Sequence, residues 1–182
     1  MKKIFILILI LLLAACGNTP MPTPSPTPTV PAETPQPEGP EKTEIPSVTE
    51  LISDGLTLVS SVDCSLISDK TFETVSLYTS AAKENGRFVW DDHARWVLEI
   101  TSDTGNIYTL YDTEVSNGSI YFDIIEVESQ KFILLRNIST AANYTKAFTF
   151  EDGKLYETNE PDLNELKNTT VNLIFTSIPR YR

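Results

Sequence analysis

Residues 107–127 are IYTLYDTEVSNGSIYFDIIEV, and this stretch decides the class of fold that the sequence predicts. Its two ends, residues 107–115 and 120–127, are rich in β-branched and aromatic residues, which favour strands. Between them stands Asn117-Gly118, a dipeptide that strongly signals a hairpin because both residues tolerate positive φ. The stretch therefore predicts two antiparallel strands joined by a tight turn.

The same pattern continues on both sides of this stretch. Strands are predicted at residues 56–62, 72–78, 88–90, 94–101, 131–138, 144–150, 154–157 and 170–178. Short connections place successive strands antiparallel, because a parallel crossover needs a dozen residues or more. We therefore predict a mainly β fold: an antiparallel meander of about eight or nine strands, forming a curled sheet or a two-layer sandwich.

Short helical segments are predicted beside the strands. Ser47 and Glu50 form a capping-box pattern, and Gly55 stands where a helix over residues 48–54 would end. A second helical turn is predicted at residues 162–167. Residues 47–182 thus make a single β-rich domain, which is long enough to bury a core without disulfides.

The N-terminus has the pattern of a signal peptide. Lys2 and Lys3 precede an apolar run over residues 4–15, which is shorter than the ~20 residues that a membrane-spanning helix needs. The run ends in Leu13-Ala14-Ala15-Cys16-Gly17, which resembles the lipobox of bacterial lipoprotein precursors. That resemblance implies cleavage after residue 15 and a diacylglycerol on Cys16. An ordinary signal peptide with a chance cysteine and an uncleaved membrane anchor are the alternatives.

Proline dominates the segment that follows the leader. Residues 17–46 hold ten of the 12 prolines in the chain, spaced mainly by Thr, Ser, Glu and Gln. Proline fixes φ and removes a backbone donor, so this composition favours an extended polyproline-II strand that rises ~3.1 Å per residue. We therefore predict that residues 16–46 are the lipidated cysteine and a disordered spacer, and that residues 1–15 are a signal peptide.

The charge of the chain limits its partners. The sequence has 14 Lys and Arg against 25 Asp and Glu, a net charge of -11. Loss of Lys2 and Lys3 with the leader leaves 12 basic side chains and a charge of -13. Such a protein lacks the basic face that nucleic acid requires, and an anionic membrane surface would repel it. Attachment to the membrane would therefore depend on the lipid.

Residues 63–75 invite comparison with calcium-binding loops. This stretch resembles a degenerate form of the Asp-x-Asp-x-Asp-Gly turn of FG-GAP and VCBS-type β-repeats. The three alternating positions hold Ser65, Ile67 and Asp69, and Lys70 stands at the glycine position. One carboxylate is too few for Ca²⁺, which takes six to eight oxygen ligands. We predict a plain connecting loop, and no metal or cofactor elsewhere in the chain.

Other chemically interesting residues have ordinary structural interpretations. Cys64 is the second of two cysteines and is predicted to be buried rather than paired between chains. His93 beside Asp91 and Asp92 is predicted to lie in a solvated turn, because the sequence lacks a nucleophile elbow. A set of aromatic residues is expected in the core rather than on a sugar-binding face: Phe88, Trp90, Trp96, Tyr108, Tyr111, Tyr121 and Phe122. Four asparagines begin glycosylation sequons that we expect to be chance matches: Asn117, Asn137, Asn143 and Asn168.

The sequence as a whole resembles small surface lipoproteins of Gram-positive bacteria. It predicts a protein on the extracytoplasmic face of the cell membrane, held by its lipid anchor. We expect a non-enzymatic binding or accessory module whose partner is a cell-wall glycan or an envelope protein. The alternative is a wall hydrolase whose two carboxylates the sequence does not single out; amide substitutions at Asp91, Asp92 and Glu99 would test it. A transporter's solute-binding subunit is disfavoured, since those two-lobed receptors are longer.

Overall fold

The computed structural model describes residues 41–89, 93–159, 161, 166 and 169–177. The strands that these residues form pair antiparallel, which confirms the mainly β prediction. The strands are β1 Lys42–Ile45, β2 Thr57–Cys64, β3 Glu73–Thr79, β4 Lys83–Glu84, β5 Arg87–Phe88, β6 Ala94–Thr101, β7 Ile107–Val115, β8 Gly118–Val127, β9 Gln130–Ser139, β10 Asn143–Glu151, β11 Lys154–Thr158 and β12 Val171–Thr176.

The strands form two main sheets. One has six strands in the order β1-β11-β10-β9-β8-β12, and the other has four in the order β2-β3-β6-β7. A separate two-stranded ribbon, β4-β5, lies between β3 and β6 in the chain. The meander prediction holds within each sheet, where β8 to β11 and β2, β3, β6 and β7 follow chain order. Only β1 and β12 join the edges from far away in sequence.

The two sheets enclose a shared core. Trp96 and Leu98 of the four-stranded sheet belong to the same buried cluster as Phe122 and Leu135 of the six-stranded sheet. All four side chains are 2% exposed or less. Because side chains alternate along a strand, one set of each sheet faces this core and the other faces outward. The fold is therefore a two-layer sandwich.

The hairpin predicted at Asn117-Gly118 is wrong. In the four-stranded sheet β7 pairs with β6, whereas β8 pairs with β9 and β12 of the six-stranded sheet, so the chain passes here from one sheet to the other. Asn117 has a φ of 48°, as the dipeptide suggests. Gly118 is needed for space instead, since a Cβ there would lie 2.2 Å from the Cβ of Ser139. An Asn-Gly pair marks the turn but does not identify the strand's partner.

The predicted helix at residues 48–54 is also wrong. Val48 forms an isolated bridge with Ile107, and residues 49–56 are bends and turns that cross the outer side of the four-stranded sheet. The backbone N–H of Ile52 and the hydroxyl of Ser53 donate to Glu99. These tertiary bonds replace the local ones of a helix. The second predicted helix, at 162–167, lies outside the described residues except for Leu166.

The folded part begins earlier than residue 47. Lys42–Ile45, which the sequence places in the linker, pairs in register with β11 from Lys42↔Thr158 to Ile45↔Leu155. The strand predicted at 88–90 is the short β5, which pairs with β4 across an Asn85-Gly86 turn. The leader, Cys16 and most of the proline-rich segment lie outside the described residues. No helix in the described part is long and apolar enough to cross a bilayer.

Candidate functional site

A cleft of about 590 Å³ opens at one end of the sandwich. Its walls come from both sheets, because the connection between β2 and β3 faces the start of β9 and the end of β10 across the core. The cleft is lined by Ser65, Leu66, Ile67, Ser68, Asp69, Ser129, Gln130, Lys131, Phe150 and Glu151. Five of its ten lining residues, 65–69, belong to the loop whose sequence resembles a calcium turn.

Glu73 holds the loop between β2 and β3, which forms the first wall of the cleft. This first residue of β3 is fully buried, and its Oε2 accepts hydrogen bonds from the backbone N–H groups of Leu66 at 2.7 Å and Ile67 at 3.2 Å. A carboxylate that accepts two backbone donors holds a loop firmly. The other oxygen, Oε1, is buried and has no hydrogen-bond partner among the described residues. Glu73 thus orders the loop without reaching the cleft surface.

Lys131 joins the two walls. Its ammonium, carried by β9, donates to the carbonyl oxygen of Ser65 at 2.7 Å and to its hydroxyl at 3.0 Å. Asp69 Oδ1 lies 3.9 Å from the same nitrogen. Lys131 therefore supplies positive charge to the loop that resembles a calcium turn. No cluster of three or more His, Cys, Asp or Glu side chains suited to a metal ion occurs among the described residues.

The second wall is held by bonds between neighbouring strands. Gln130 Nε2 donates to Thr149 Oγ1 at 3.2 Å and to Glu151 Oε1 at 3.3 Å. Lys42 of β1 also reaches Glu151 Oε1, at 2.5 Å. This hydrogen bond holds the pKa of the Glu151 carboxyl below its usual value, so the group is ionised at neutral pH. The wall therefore presents a fixed carboxylate to the cleft.

A strained turn forms part of the rim. Glu128 and Ser129 join β8 to β9 with φ values of 50° and 72°, although neither is glycine. Two-residue hairpins with both positions at positive φ favour Asn-Gly or Asp-Gly. The Asp152-Gly153 turn between β10 and β11 has the second of these pairs. Non-glycine residues in this region cost conformational energy. The turn keeps its shape because the ten-residue strands on either side are fully paired.

Cys64 is the last residue of β2 and directly precedes the loop that lines the cleft. The thiol is buried, as the sequence analysis predicts, and it forms no disulfide. Burial, with a further contribution from the negative charge of Glu73, raises its pKa to about 11. A thiol this weakly acidic is protonated at neutral pH and is a poor nucleophile. Cys64 therefore acts as a small core residue at the end of β2.

Glu99 is a structural residue. It was the one hydrolase candidate that falls on described residues, and it is 1% exposed on the outer side of β6. Its Oε1 accepts from Ile52 N at 2.9 Å and its Oε2 from Ser53 Oγ at 2.5 Å. Both oxygens are committed to holding the segment that crosses the sheet. Asp91 and Asp92, the other two candidates, lie outside the described residues.

The remaining predicted residues are not brought to the cleft. His93 is exposed, and its Nδ1 lies 3.1 Å from Ser116 Oγ. Phe88, Trp96, Tyr108, Tyr111 and Phe122 are buried, which confirms the core interpretation, while Tyr121 is half-buried and Trp90 lies outside the described residues.

The asparagines of the sequons differ in exposure. Asn137 is 4% exposed and donates from Nδ2 to the hydroxyls of Tyr111 and Tyr144. This burial leaves no room for a glycan at that sequon. Asn117 and Asn143 are exposed, and Asn168 lies outside the described residues.

A second, smaller depression was not predicted from the sequence. It occupies about 210 Å³ on the outer face of the six-stranded sheet, beside Tyr121 and Ile138. The buried Asp123 accepts from Thr176 Oγ1 at 2.5 Å and pairs with Arg136 Nη2 at 2.7 Å. Because these residues lie on three different strands, only the folded register brings them together.

Comparison with protein-family models, curated proteins and solved structures found no match to this chain. The functional interpretation therefore rests on the residues and their geometry.

Proposed function

We propose that this protein is a bacterial surface lipoprotein whose β-sandwich is a non-enzymatic binding module on the extracytoplasmic face of the membrane. The observation that carries the proposal is Leu13-Ala14-Ala15-Cys16, which follows a basic start and an apolar run that is short for a membrane span. Two acyl chains on one cysteine give stable anchoring, whereas one gives only reversible binding.

The proline-rich segment is proposed to hold the module away from the bilayer. About thirty residues of polyproline II would extend to ~90 Å. The acidic charge of the chain supports a spacer as well, because a mature protein with 25 acidic and 12 basic residues would be repelled by an anionic surface. The module would then reach wall material or the exposed parts of envelope proteins, and nucleic acid would not bind.

The non-enzymatic interpretation is supported by how the buried carboxylates are used. Glu73, Glu99 and Asp123 are the buried acidic residues that the structure describes, and each accepts hydrogen bonds from the chain itself. A glycosidase needs two carboxyl groups that face a common substrate. The three lie on different faces of the sandwich and serve its loops and strands.

The test is lipid attachment at Cys16 in cells. The full chain is expressed in a Gram-positive host fed with a clickable palmitate analogue, beside Cys16→Ala and Cys64→Ala variants. We expect the parent and Cys64→Ala to carry label and to sediment with membranes, and Cys16→Ala to lose both properties. Equal label in Cys16→Ala, or no label in the parent, would contradict the proposal. Cys64→Ala controls for the loss of a thiol.

A further inference from the structure

We propose that the cleft at the end of the sandwich binds a neutral, hydroxyl-rich ligand, a short glycan. This inference rests on the proposed function, because it names the ligand class of the binding module. It follows from three properties of the lining: which hydrogen-bonding groups are already used, where its apolar surface lies, and how its charge is arranged.

Several donors of the lining are engaged within the protein. The ammonium of Lys131 bonds to Ser65, the amide of Gln130 to Thr149 and Glu151, and the backbone N–H groups of Leu66 and Ile67 to Glu73. The carboxylates of Asp69 and Glu151 are the charged acceptors of the cleft. A ligand that fits it has to bring donors, and sugar hydroxyls do so in pairs along each ring.

Both carboxylates are partly open to solvent, although Glu151 Oε1 already accepts from Lys42 and Gln130. The side chain of Asp69 is 98% exposed on one wall, and that of Glu151 is 37% exposed on the other. Hydrogen bonds to charged groups are stronger than neutral ones. Carboxylates on opposite walls allow hydroxyls on two sides of a ring, or on successive rings, to be bound at once.

The cleft also has an apolar surface. Phe150 and Leu66 are both half-buried, and both lie on its lining. Tyr108 packs edge-on against Phe150, with ring centroids 5.5 Å apart and an interplanar angle of 84°, so the ring is held in place. An aromatic or aliphatic surface among polar groups suits the C–H face of a sugar. A simple cation would leave this surface unused.

Charge favours a neutral ligand over an anionic one. The chain carries a net charge of -11, and the two carboxylates of the cleft lie beside two ammonium groups that are already bound, Lys131 to Ser65 and Lys42 to Glu151. The field of the protein would repel phosphate- or carboxylate-rich polymers. A neutral glycan does not meet that repulsion. The cross-sheet bond of Lys131 and the buried Glu73 also fix both walls in advance, which lowers the ordering cost of binding.

The experiment is isothermal titration of the full-length lipidated protein in detergent with chitotetraose, a neutral oligosaccharide, and with pentalysine as a cationic probe. The variants are Asp69→Ala and Glu151→Gln, with Asp103→Ala as the matched control. Asp103 is also an exposed loop aspartate, and it does not line the cleft. Asp69→Ala removes a side chain that is 98% exposed, so the fold is retained.

We expect saturable binding of chitotetraose that weakens about tenfold in Asp69→Ala and in Glu151→Gln, and that stays within twofold of the parent in Asp103→Ala. No binding of chitotetraose, equal binding in the cleft variants, or cleft-dependent binding of pentalysine alone would overturn the inference. Each of those results leaves acylation of Cys16 unaffected. If glycan binding depends on Asp69 but Cys16 carries no lipid, the anchoring proposal is refuted and the glycan-binding inference stands.

Discussion

Lys131 of the six-stranded sheet donates from its ammonium to both the carbonyl oxygen and the hydroxyl of Ser65, the residue that follows β2 of the four-stranded sheet. The two residues are 66 positions apart in the chain, and their bond closes one end of the sandwich. The same nitrogen lies between the loop that resembles a calcium turn and the cleft wall formed by β9 and β10. A lysine thus contributes to holding a loop whose sequence resembles a metal-binding one.

Removal of this ammonium is expected to loosen the loop. Lys131→Met keeps the aliphatic stem but loses both bonds to Ser65, which should lower the free energy of unfolding by about 1–3 kcal/mol. Urea unfolding followed by tryptophan fluorescence measures the change, and limited proteolysis locates new cleavage within residues 65–72. Lys70→Met, on the same loop but exposed, is the control. Equal stability of the two variants would contradict the role given to Lys131.

Glu99 should be needed for stability rather than for catalysis. Glu99→Ala leaves Ile52 N–H and Ser53 Oγ without their acceptor, and we expect a loss of about 3 kcal/mol in the free energy of unfolding. Glu114→Ala removes the same charge from an exposed position on β7 and should change stability by less than about 0.5 kcal/mol. Thermal unfolding by circular dichroism compares them. A Glu99→Ala protein as stable as the parent would refute the assignment.

Gly118 should tolerate no side chain. A Cβ there would meet the Cβ of Ser139 at 2.2 Å and the carbonyl oxygen of Ile138 at 2.9 Å, so Gly118→Ala should cost about 1–3 kcal/mol. Adding Ser139→Gly removes the first clash and keeps the second, so the double variant should recover part of the loss. Chemical denaturation provides the comparison. Full stability of Gly118→Ala would show that the close approach of β8 and β9 is not required.

Cys64 should react slowly until the pH is high. With its pKa raised from 9.0 to about 11, the folded protein holds about a hundredfold less thiolate at pH 8 than the unfolded chain does. Iodoacetamide labelling followed by mass spectrometry should therefore be at least that much slower in buffer than in urea. If Cys16 is acylated, Cys64 is the one thiol left to label. Similar rates in both conditions would contradict a buried, protonated thiol.

The same shift affects stability in alkali. A thiol whose pKa is raised on folding stabilises the native state fully below pH 9, and this contribution is lost as the pH rises towards about 11. Cys64→Ala should therefore flatten the decline of the thermal midpoint between pH 9 and 11. Tyr111, whose pKa is raised to about 12, mainly by burial, remains in both proteins. An unchanged pH profile in the variant would argue against this linkage.

The sequence predicts strands well because alternation and β-branched residues are local signals. β6 and β7 begin and end at the predicted residues, and the Asp152-Gly153 turn joins β10 to β11 as expected. Which strands pair with each other is harder to predict from the sequence. Asn117-Gly118 marks a turn whichever sheet follows, so the passage between sheets was misread as a hairpin. β1 is four residues long and forms only because β11 offers an edge.

The candidate site also combines residues that the sequence singles out with residues that only the folded structure brings together. The loop at 63–75 stands out in the sequence because its carboxylate pattern resembles a known turn. Lys131, Gln130 and Glu151, which complete the cleft, carry no local signal and come from the opposite sheet. Glu99 was a candidate because acidic residues are the usual catalysts of glycan hydrolysis, and only its contacts with Ile52 and Ser53 reveal its structural role.

The most direct test of the account is the mass of the N-terminal tryptic peptide from the membrane-associated protein. The first basic residue after Cys16 is Lys42, so the mature chain should yield residues 16–42 with a diacylglycerol on the cysteine. Detection of that lipopeptide, and its absence from Cys16→Ala, is the result we predict. An unmodified peptide of residues 4–42, or a mature chain that begins elsewhere without lipid, would contradict the proposed anchoring of this binding module.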